Sequence, residues 1–461
     1  MKDSVLLIPE TFFPKCEDPF DRRIPVWLFT LSIIILFAIT HFAVDMLPGV
    51  NSAPQSGSLA QNVTRFEYAY IAAKGIAFRI SVIILAIPVI AAFYRFLRSL
   101  ERRQLQKALL ISSLVFIILG VLCFPYSDGG GLRSMGVDYG AISSNPFAVR
   151  SGFFYRRLLQ PGVANVLGFG GMNLYYLFTL VITFLLVFIT TLAIQRLLSN
   201  DSSGTIEPSI GADIWMGMVV LSAATTSYVI FHFQFPGYPE QLGYIFLLLM
   251  AFVPMSSRTR WSAVALGLAS HEIMIFALVP VIVFCFQSYR ERIVALAIVG
   301  LYGLLWLSAY RFHFLGLVRV HTDLAPAVNT IDIFMAEIRW VFLGALSAHK
   351  LLWATLVWAA ISLIRRKQFY LALGLISIAL APLATLVVAA DTSRLAGLGF
   401  LGILLAIAIL HNTSQSIWER NALRCLLTVN ILAPSVYISA NYHRIPCPGL
   451  YELMINRFAL F

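Results

Sequence analysis

Charged residues are scarce in this sequence of 461 residues, since Asp, Glu, Lys and Arg together make up only 12% of it. A water-soluble chain carries about a quarter charged residues. Hydrophobic residues make up 59% of the sequence, and a globule of this size cannot cover its surface with so few polar groups. The scarcity of charge excludes a soluble enzyme and a disordered protein, and it indicates a polytopic membrane protein.

Cysteines are also few. There are five, an odd number, and no two are spaced as CxxC, so the cysteines indicate neither a disulfide framework nor a thiolate metal site. The net charge of +11 comes from basic residues dispersed in short groups between apolar stretches. Lys and Arg that flank membrane spans set topology, so no nucleic-acid partner is expected.

Continuous apolar runs recur along the chain and predict an all-α polytopic integral membrane protein with about 11–12 transmembrane helices. The runs do not alternate as the strands of a closed barrel do. We divide the chain into a two-span module at 1–107, a transmembrane core at 108–410 with an outer loop at 125–172, and a last span with an outer tail at 411–461. The predicted spans are residues 27–44, 71–93, 108–124, 174–194, 214–231, 242–253, 293–310, 342–364, 369–389, 395–410 and 423–440.

Basic clusters predict the orientation. Arginines 22–23, the basic residues of 95–107 and those of 365–367 all flank predicted spans. Placing these clusters on the cytoplasmic side puts the N-terminus inside and the C-terminal tail outside.

One apolar run, 261–286, has a pair of arginines on each side, so a single crossing would put one pair outside. The run contains His271 and Glu272. We expect a re-entrant pair of short helices broken near His271, with one long tilted span as the alternative. A second special segment, 331–346, has apolar residues at helical spacing and polar residues opposite them, which predicts an amphipathic helix at the outer interface.

The outer loop 125–172 combines acids, arginines and aromatic residues within a short stretch before a span. Arginine binds phosphate through two parallel hydrogen bonds, and a positioned carboxylate serves as a general base. This set suits an anionic headgroup and a hydroxyl acceptor. The candidates are Asp128, Asp138, Arg150, Tyr155, Arg156 and Arg157. The alternative is an ordered loop held together by Arg–Asp pairs.

Short motifs in this order resemble the type C glycosyltransferase superfamily and related bacterial cell-surface glycopolymer proteins. An acidic-aromatic pair in an outer loop is followed by Pro-Phe, an aromatic before arginines and Leu-x-Pro at the start of a span. Two later features are an acid within an apolar run and Asp-x-x-Arg at an outer membrane edge. The residues are Asp138-Tyr139, Pro146-Phe147, Tyr155-Arg156-Arg157, Leu159-Gln160-Pro161, His271-Glu272 and Asp391 to Arg394.

The resemblance implies an integral protein of the bacterial inner membrane that takes a sugar from a polyprenyl-phosphate carrier and transfers it to a lipid-linked or cell-surface glycan on the outer face. Its partners would be membrane lipid, the lipid-linked donor and the glycan acceptor. Asp138 would be the base, with Asp128 in reserve, and Arg150, Arg156 and Arg157 would hold the phosphate. The cofactor stays open, a divalent metal ion included.

The sequence departs from the superfamily's layout, in which the acidic loop follows the first span rather than the third. The alternative acids in the first outer loop are Asp45 and Glu67. His271 and Glu272 are either substrate-binding or a buried pair at the helix break, and Asp391 and Arg394 either bind substrate or form a simple ion pair. Two further pairs have weaker claims. Glu240 and Gln241 follow an aromatic outer turn and are further candidates for a sugar site. His349 and Lys350 lie near the outer start of a span and are expected to extend to the interface rather than to bind a lipid phosphate.

Three other classes remain as alternatives to the transferase: a glycan polymerase, a transporter or flippase of a lipid-linked sugar, and a non-catalytic assembly subunit. A transporter favours internal symmetry and paired broken helices. The sequence shows one predicted break and no repeat, which favours an enzyme.

Overall fold

The computed structural model describes residues 24–42, 65–123, 132, 135–147, 157–199, 210–307, 338–387, 392–414, 416–433, 435, 437–439 and 442–444. The helices are α1 Val26–Phe42, α2 Arg65–Ser99, α3 Arg102–Cys123, α4 Met135–Ser144, α5 Leu159–Val166, α6 Met172–Ser199, α7 Ile210–Ala224, α8 Ser227–Gln234, α9 Glu240–Phe252, α10 Ser257–Ser270, α11 Met274–Cys285, α12 Tyr289–Leu307, α13 Ile338–His349, α14 Leu352–Arg365, α15 Phe369–Leu380, α16 Thr392–Ala396, α17 Phe400–Thr413 and α18 Ile417–Leu432. Short 3-10 turns lie at Ala381–Val387 and Gly397–Gly399, and the strands β1 Tyr437–Ser439 and β2 Tyr442–Arg444 form an antiparallel hairpin.

The fold is that of an all-α polytopic membrane protein, as predicted. Five stretches of the described residues are long and apolar enough to cross a bilayer, and each coincides with a predicted span. They are Ile71–Ser99, Arg102–Cys123, Met172–Leu198, Phe369–Leu386 and Ser393–Thr413. Among the described residues, the number of qualifying stretches rises to seven when two bent helix pairs are each counted as one span.

Burial separates the centre of the bundle from its lipid-facing rim. In the most apolar part of Ser393–Thr413, 100% of the residues are buried, and in that part of Met172–Leu198 the share is 72%. In the most apolar parts of Ile71–Ser99 and Arg102–Cys123, only 33% and 22% of the residues are buried. An apolar helix that exposes most of its side chains is stable only against hydrocarbon. Helices α6 and α17 therefore form the core, and α2 and α3 line its edge. Helix α2, in the predicted N-terminal module, also packs against α10 of the predicted core.

Two predicted single spans are bent. The pair α7–α8 bends by 65° and the pair α13–α14 bends by 78°. The described part of the predicted interfacial helix 331–346 is the beginning of α13, so it forms the first arm of the second bent pair, and residues 331–337 lie outside the described residues.

The two bends meet at a set of polar contacts that we call the bend junction, formed by Ser222, Thr225, Lys350, Leu351 and Asn430. Lys350 Nζ donates to Thr225 Oγ1 at 3.1 Å, which links the second bend to the first. Asn430 Oδ1 accepts from the backbone N–H of Leu351 at 3.0 Å, and its Nδ2 donates to both oxygens of Ser222 at 3.1 Å. Helix α18 therefore fastens both bends.

Helices α10 and α11 form a helical hairpin, as a re-entrant pair requires. Helix α10 ends at Ser270, and His271 adopts extended backbone angles, so the predicted break near His271 is confirmed. The Arg260 guanidinium lies 5.6 Å from the ring centre of Phe286, whereas a continuous helix would separate these residues by about 39 Å. Arg260 also pairs with Glu291 at 3.1 Å, which holds the base of the hairpin, opposite its tip, against α12.

Two other sequence predictions need correction. The predicted outer loop 125–172 contains the helices α4 and α5. The predicted span 423–440 is not one helix, because α18 ends at Leu432 and β1 begins at Tyr437. Pro434 accounts for this end, since proline lacks an N–H and disfavours helical geometry in the residue before it.

Candidate functional site

Five ionisable side chains from distant parts of the chain meet at the tip of the helical hairpin, and we call them the charge cluster. His271 and Glu272 occupy the tip itself, between α10 and α11. Arg157 comes from the segment that leads into α5, Glu240 is the first residue of α9, and Arg394 lies in α16. Ionisable groups among apolar helices are costly unless they pair, which makes this cluster the candidate functional site.

Arg157 binds Glu272 through a two-pronged ion pair. Its Nε donates to Glu272 Oε2 at 3.0 Å, and its Nη2 donates to Oε1 at 2.5 Å. The remaining Nη1 donates to the hydroxyl of Tyr139 at 3.1 Å. Arg157 therefore joins the hairpin tip to α4, the helix that carries Asp138.

His271 lies between the two carboxylates of the cluster. Its Nε2 is 3.1 Å from Glu240 Oε1, and its Nδ1 is 3.3 Å from Glu272 Oε2. The backbone N–H of Ile273 donates to Nδ1 at 3.3 Å, so in the neutral ring the proton belongs on Nε2, facing Glu240.

Arg394 closes the other end of the cluster. Its Nη1 donates to Glu240 Oε1 at 2.7 Å, so this carboxylate oxygen faces both Arg394 and His271. The guanidinium also lies over the rings of Tyr238 and Phe231, at 4.9 Å and 5.4 Å from their centres. Cation–π contacts of this kind suit a guanidinium that water does not reach.

The cluster is electrically balanced. Two arginines face two glutamates, so a neutral His271 leaves no net charge, which is the condition under which such a set can be buried. Glu240 and His271 are 0% and 1% exposed, whereas the side chain of Glu272 is 22% exposed. The pair Arg157–Glu272 is thus the part of the cluster that a ligand can approach.

Hydrogen bonds to the turn before α9 hold the neighbouring segments in place. Gln160 Nε2 donates to the carbonyl oxygen of Tyr238 at 3.0 Å and to Gln241 Oε1 at 3.2 Å. The helix α4 can approach this turn because glycines meet there. A Cβ on Gly136 would lie 2.1 Å from the carbonyl oxygen of Pro236, and Gly237 has a φ of +105°. These glycines bring Tyr139 within reach of Arg157.

Asp138 lies one residue from this contact but outside the buried set. It is exposed on α4, whereas Tyr139 is fully buried. Partial burial raises the pKa of Asp138 above the ordinary value for an aspartate, and a hydrogen bond from its own backbone offsets part of this rise. A raised pKa makes the carboxylate a better proton acceptor.

The structure brings several of the predicted site residues together. Arg157, His271, Glu272 and Arg394 all belong to the charge cluster, and Asp138 adjoins it through Tyr139. The described ion-pair partner of Arg394 is Glu240. The remaining predicted residues, Asp128, Arg150, Tyr155, Arg156 and Asp391, and the alternative acid Asp45 lie outside the described residues, and the side chain of Glu67 is not described either.

Glu240 is the member of the cluster whose role could least be inferred from the sequence. In the sequence, Glu240 stands out only because it directly follows an aromatic turn. Aromatic residues are common at membrane interfaces, so this turn does not by itself indicate a site. Within the parts of the chain that the structure describes, no three His, Cys, Asp or Glu side chains are arranged to hold a metal ion. No protein-family model, curated protein or solved structure matches the chain.

Proposed function

We propose that the protein is a membrane glycosyltransferase that moves a sugar from a polyprenyl-phosphate carrier to a glycan acceptor at the outer face of a bacterial inner membrane. The contact between Arg157 and Tyr139 carries this proposal, because it links a predicted phosphate-binding arginine to α4, the helix that contains the predicted base Asp138. The donor needs a cation for its phosphate, and the acceptor needs a base for its hydroxyl.

In the proposed reaction, the Asp138 carboxylate accepts the proton of the acceptor hydroxyl while the hydroxyl oxygen attacks the anomeric carbon of the donor sugar. The bond from that carbon to the phosphate oxygen breaks, and the electron pair leaves with the polyprenyl phosphate. The configuration at the anomeric carbon inverts. Arg157 stabilises the leaving phosphate by exchanging one of its hydrogen bonds to Glu272 for one to a phosphate oxygen, and Arg150 and Arg156 are the further candidates for this role.

The experiment compares membranes that contain the wild-type protein, Asp138→Asn or Glu101→Gln and that receive a polyprenyl-phosphate sugar. Asp138→Asn should lose transfer because the amide cannot accept the proton. Glu101→Gln changes an exposed carboxylate between α2 and α3 and should transfer normally. Full transfer by Asp138→Asn, at equal expression, would remove Asp138 from the mechanism.

The pH dependence gives a second test of the same role. A base works only when deprotonated, so transfer should fall as the pH drops through the raised pKa of Asp138. The acid limb of the rate profile should therefore lie above the ordinary aspartate pKa of about 3.9. A rate that stays constant down to that pH would contradict the assignment.

A transporter or flippase of a lipid-linked sugar is the second candidate, and one observation favours it. The structure shows two bent helix pairs in addition to the helical hairpin, where the sequence had indicated one break. Interrupted helices that meet within a membrane are typical of transporters. Vesicles that contain the purified protein separate the two functions: movement of a labelled lipid-linked sugar between leaflets, without any transfer product, would favour transport.

A further inference from the structure

His232 is a buried histidine whose ring makes no hydrogen bond with any residue that the structure describes. It lies on α8, is 1% exposed, and has two ring nitrogens without a partner. The other buried histidines of the described residues each have a partner. His41 and His349 contact backbone carbonyl oxygens at 2.9 Å and 3.1 Å, and the Nδ1 of His271 accepts from Ile273. The exception at His232 needs an explanation, because a buried polar group without a hydrogen bond is costly.

One carboxylate oxygen of the charge cluster is unsatisfied in the same way. Glu240 is 0% exposed, and its Oε1 faces Arg394 and His271. Its Oε2 has no hydrogen-bond partner within the described part of the chain. A carboxylate oxygen is a strong acceptor, so the cluster leaves one acceptor unused at its most buried member.

His232 and Glu240 belong to the same region of the bundle. The centre of the His232 ring lies 5.8 Å from that of Tyr244, and Tyr244 is one turn after Glu240 on α9. His232 also interacts electrostatically with Glu240 and Arg394, and α8 packs against α16, which carries Arg394. Two buried, unsatisfied groups from neighbouring helices thus point to one interior site.

The chemistry of the two groups restricts what can bind to them. Glu240 Oε2 only accepts hydrogen bonds, and a neutral imidazole has one N–H donor and one acceptor nitrogen. Glu240 would repel an anion, and Arg394 would repel a cation. A neutral hydroxyl group suits both partners, because it donates its hydrogen to Oε2 while its oxygen accepts from the imidazole N–H. It also leaves the charge balance of the cluster unchanged.

Aromatic rings lie next to this site. Phe231 precedes His232, and its ring centre is 4.9 Å from that of Tyr238 and 5.2 Å from that of Phe235. Phe235 is partly exposed, so these aromatic residues extend to the protein surface. Binding sites for small molecules are lined mainly by aromatic and apolar side chains with a few polar groups, which is the composition found here.

We propose that His232 and Glu240 together bind a neutral hydroxyl group, which hydrogen-bonds to a ring nitrogen of His232 and to Glu240 Oε2. Two sources supply this chemistry: an internal water molecule, and a hydroxyl group of the sugar on the lipid-linked donor. The second source rests on the proposed function, which it deepens by making His232 a residue that recognises the donor sugar.

A cryo-EM map of the full-length protein in a lipid nanodisc tests the proposal. At a resolution that shows ordered waters, density should lie within hydrogen-bonding distance, about 2.7–3.2 Å, of both Glu240 Oε2 and a ring nitrogen of His232. The density should be absent from His232→Phe, because a phenyl ring of similar shape cannot form the hydrogen bond. A wild-type map without density between the two groups would overturn the proposal, whether or not the variant folds.

Farnesyl phosphate and its glucose-bearing derivative distinguish the two sources, with native mass spectrometry in a neutral detergent as the binding assay. If the sugar supplies the hydroxyl group, the wild type should bind the glucose-bearing probe about threefold to tenfold more tightly than farnesyl phosphate, the effect of one neutral hydrogen bond. His232→Phe should lose this preference and should bind farnesyl phosphate as the wild type does. The same preference in the wild type and in His232→Phe would identify water as the source.

His411→Phe is the matched control for these measurements. His411 stacks on Trp215 beyond the other end of the helix segment that begins at Arg394, so its replacement should change neither the density nor the preference. Neither experiment contains an acceptor or measures transfer. Hydroxyl binding at His232 can therefore hold when Asp138 proves unnecessary for transfer, and the reverse result is equally distinct.

Discussion

The charge cluster and the bend junction are both polar regions among apolar helices, and they balance their charges differently. In the cluster, two arginines face two glutamates, and His271 lies between the carboxylates. In the bend junction, one lysine contacts a hydroxyl and a carbonyl group, and Asn430 supplies the other hydrogen bonds. The cluster depends on both members of each ion pair being present, whereas the bend junction depends on hydrogen bonds to neutral groups.

The largest effect should follow from Glu240→Gln, which removes one charge from the most buried part of the cluster. Arg394 would stay buried without its ion pair to Glu240, and we expect the free energy of unfolding to fall by about 3–5 kcal/mol. Thermal and denaturant unfolding of the purified protein measure this change. The double variant Glu240→Gln, Arg394→Met should be less impaired than the single one, and wild-type stability of the single variant would show that the pair is not needed.

A smaller loss should follow from Asn430→Ala at the bend junction. The change removes hydrogen bonds to Leu351 and Ser222, and we expect a loss of about 2–3 kcal/mol. Asn421→Ala is the matched control, because Asn421 lies on the same helix with its side chain exposed. If both variants unfold alike, the junction does not hold the two bends.

Glu272→Gln should cost less than Glu240→Gln, since Glu272 is the accessible carboxylate of the cluster. Water partly replaces the lost partner of Arg157, so we expect a loss of about 1–2 kcal/mol. The ranking of the two variants in the same unfolding assay is the measurement. A larger loss for Glu272→Gln would mean that the hairpin tip, and not the start of α9, is the main anchor.

Asp138→Asn should leave stability within about 0.5 kcal/mol of the wild type, or raise it slightly. An acid whose pKa is raised on folding favours the folded state most when protonated, and this contribution is lost as the pH rises through the folded-state pKa. The variant therefore loses nothing at neutral pH. A clear drop in the melting temperature would show that Asp138 is a structural residue rather than an exposed base.

The membrane fold could be predicted from the sequence because its signal is local. A run of apolar residues predicts a helix wherever it occurs, and five such runs coincide with helices of the required length. The break at His271 was also local, since a charged pair inside an apolar run and arginines on both sides mark it. The bend at residues 225–226 carries no such mark. At residues 350–351 the pair His349-Lys350 was interpreted as the outer start of a span, so the sequence predicted single spans at both places.

The pairings of the candidate site could not be predicted, because they are long-range. Arg157 and Glu272 are 115 positions apart, and Arg394 and Glu240 are 154 positions apart. Sequence reasoning selected Arg157, Glu272 and Arg394 individually as ionisable residues near membrane edges. It had no means of showing that the guanidinium groups of Arg157 and Arg394 each pair with a glutamate.

The helical hairpin has a consequence for how the rest of the chain is threaded through the bilayer. Because α10 starts where α11 ends, the stretch returns to its side of entry and contributes no crossing. A reporter domain fused before residue 257 and another fused after residue 288 should thus face the same compartment. Deleting the whole stretch would leave the sidedness of every later helix intact, and such a truncated chain would insert correctly yet lack the tip that His271 and Glu272 provide.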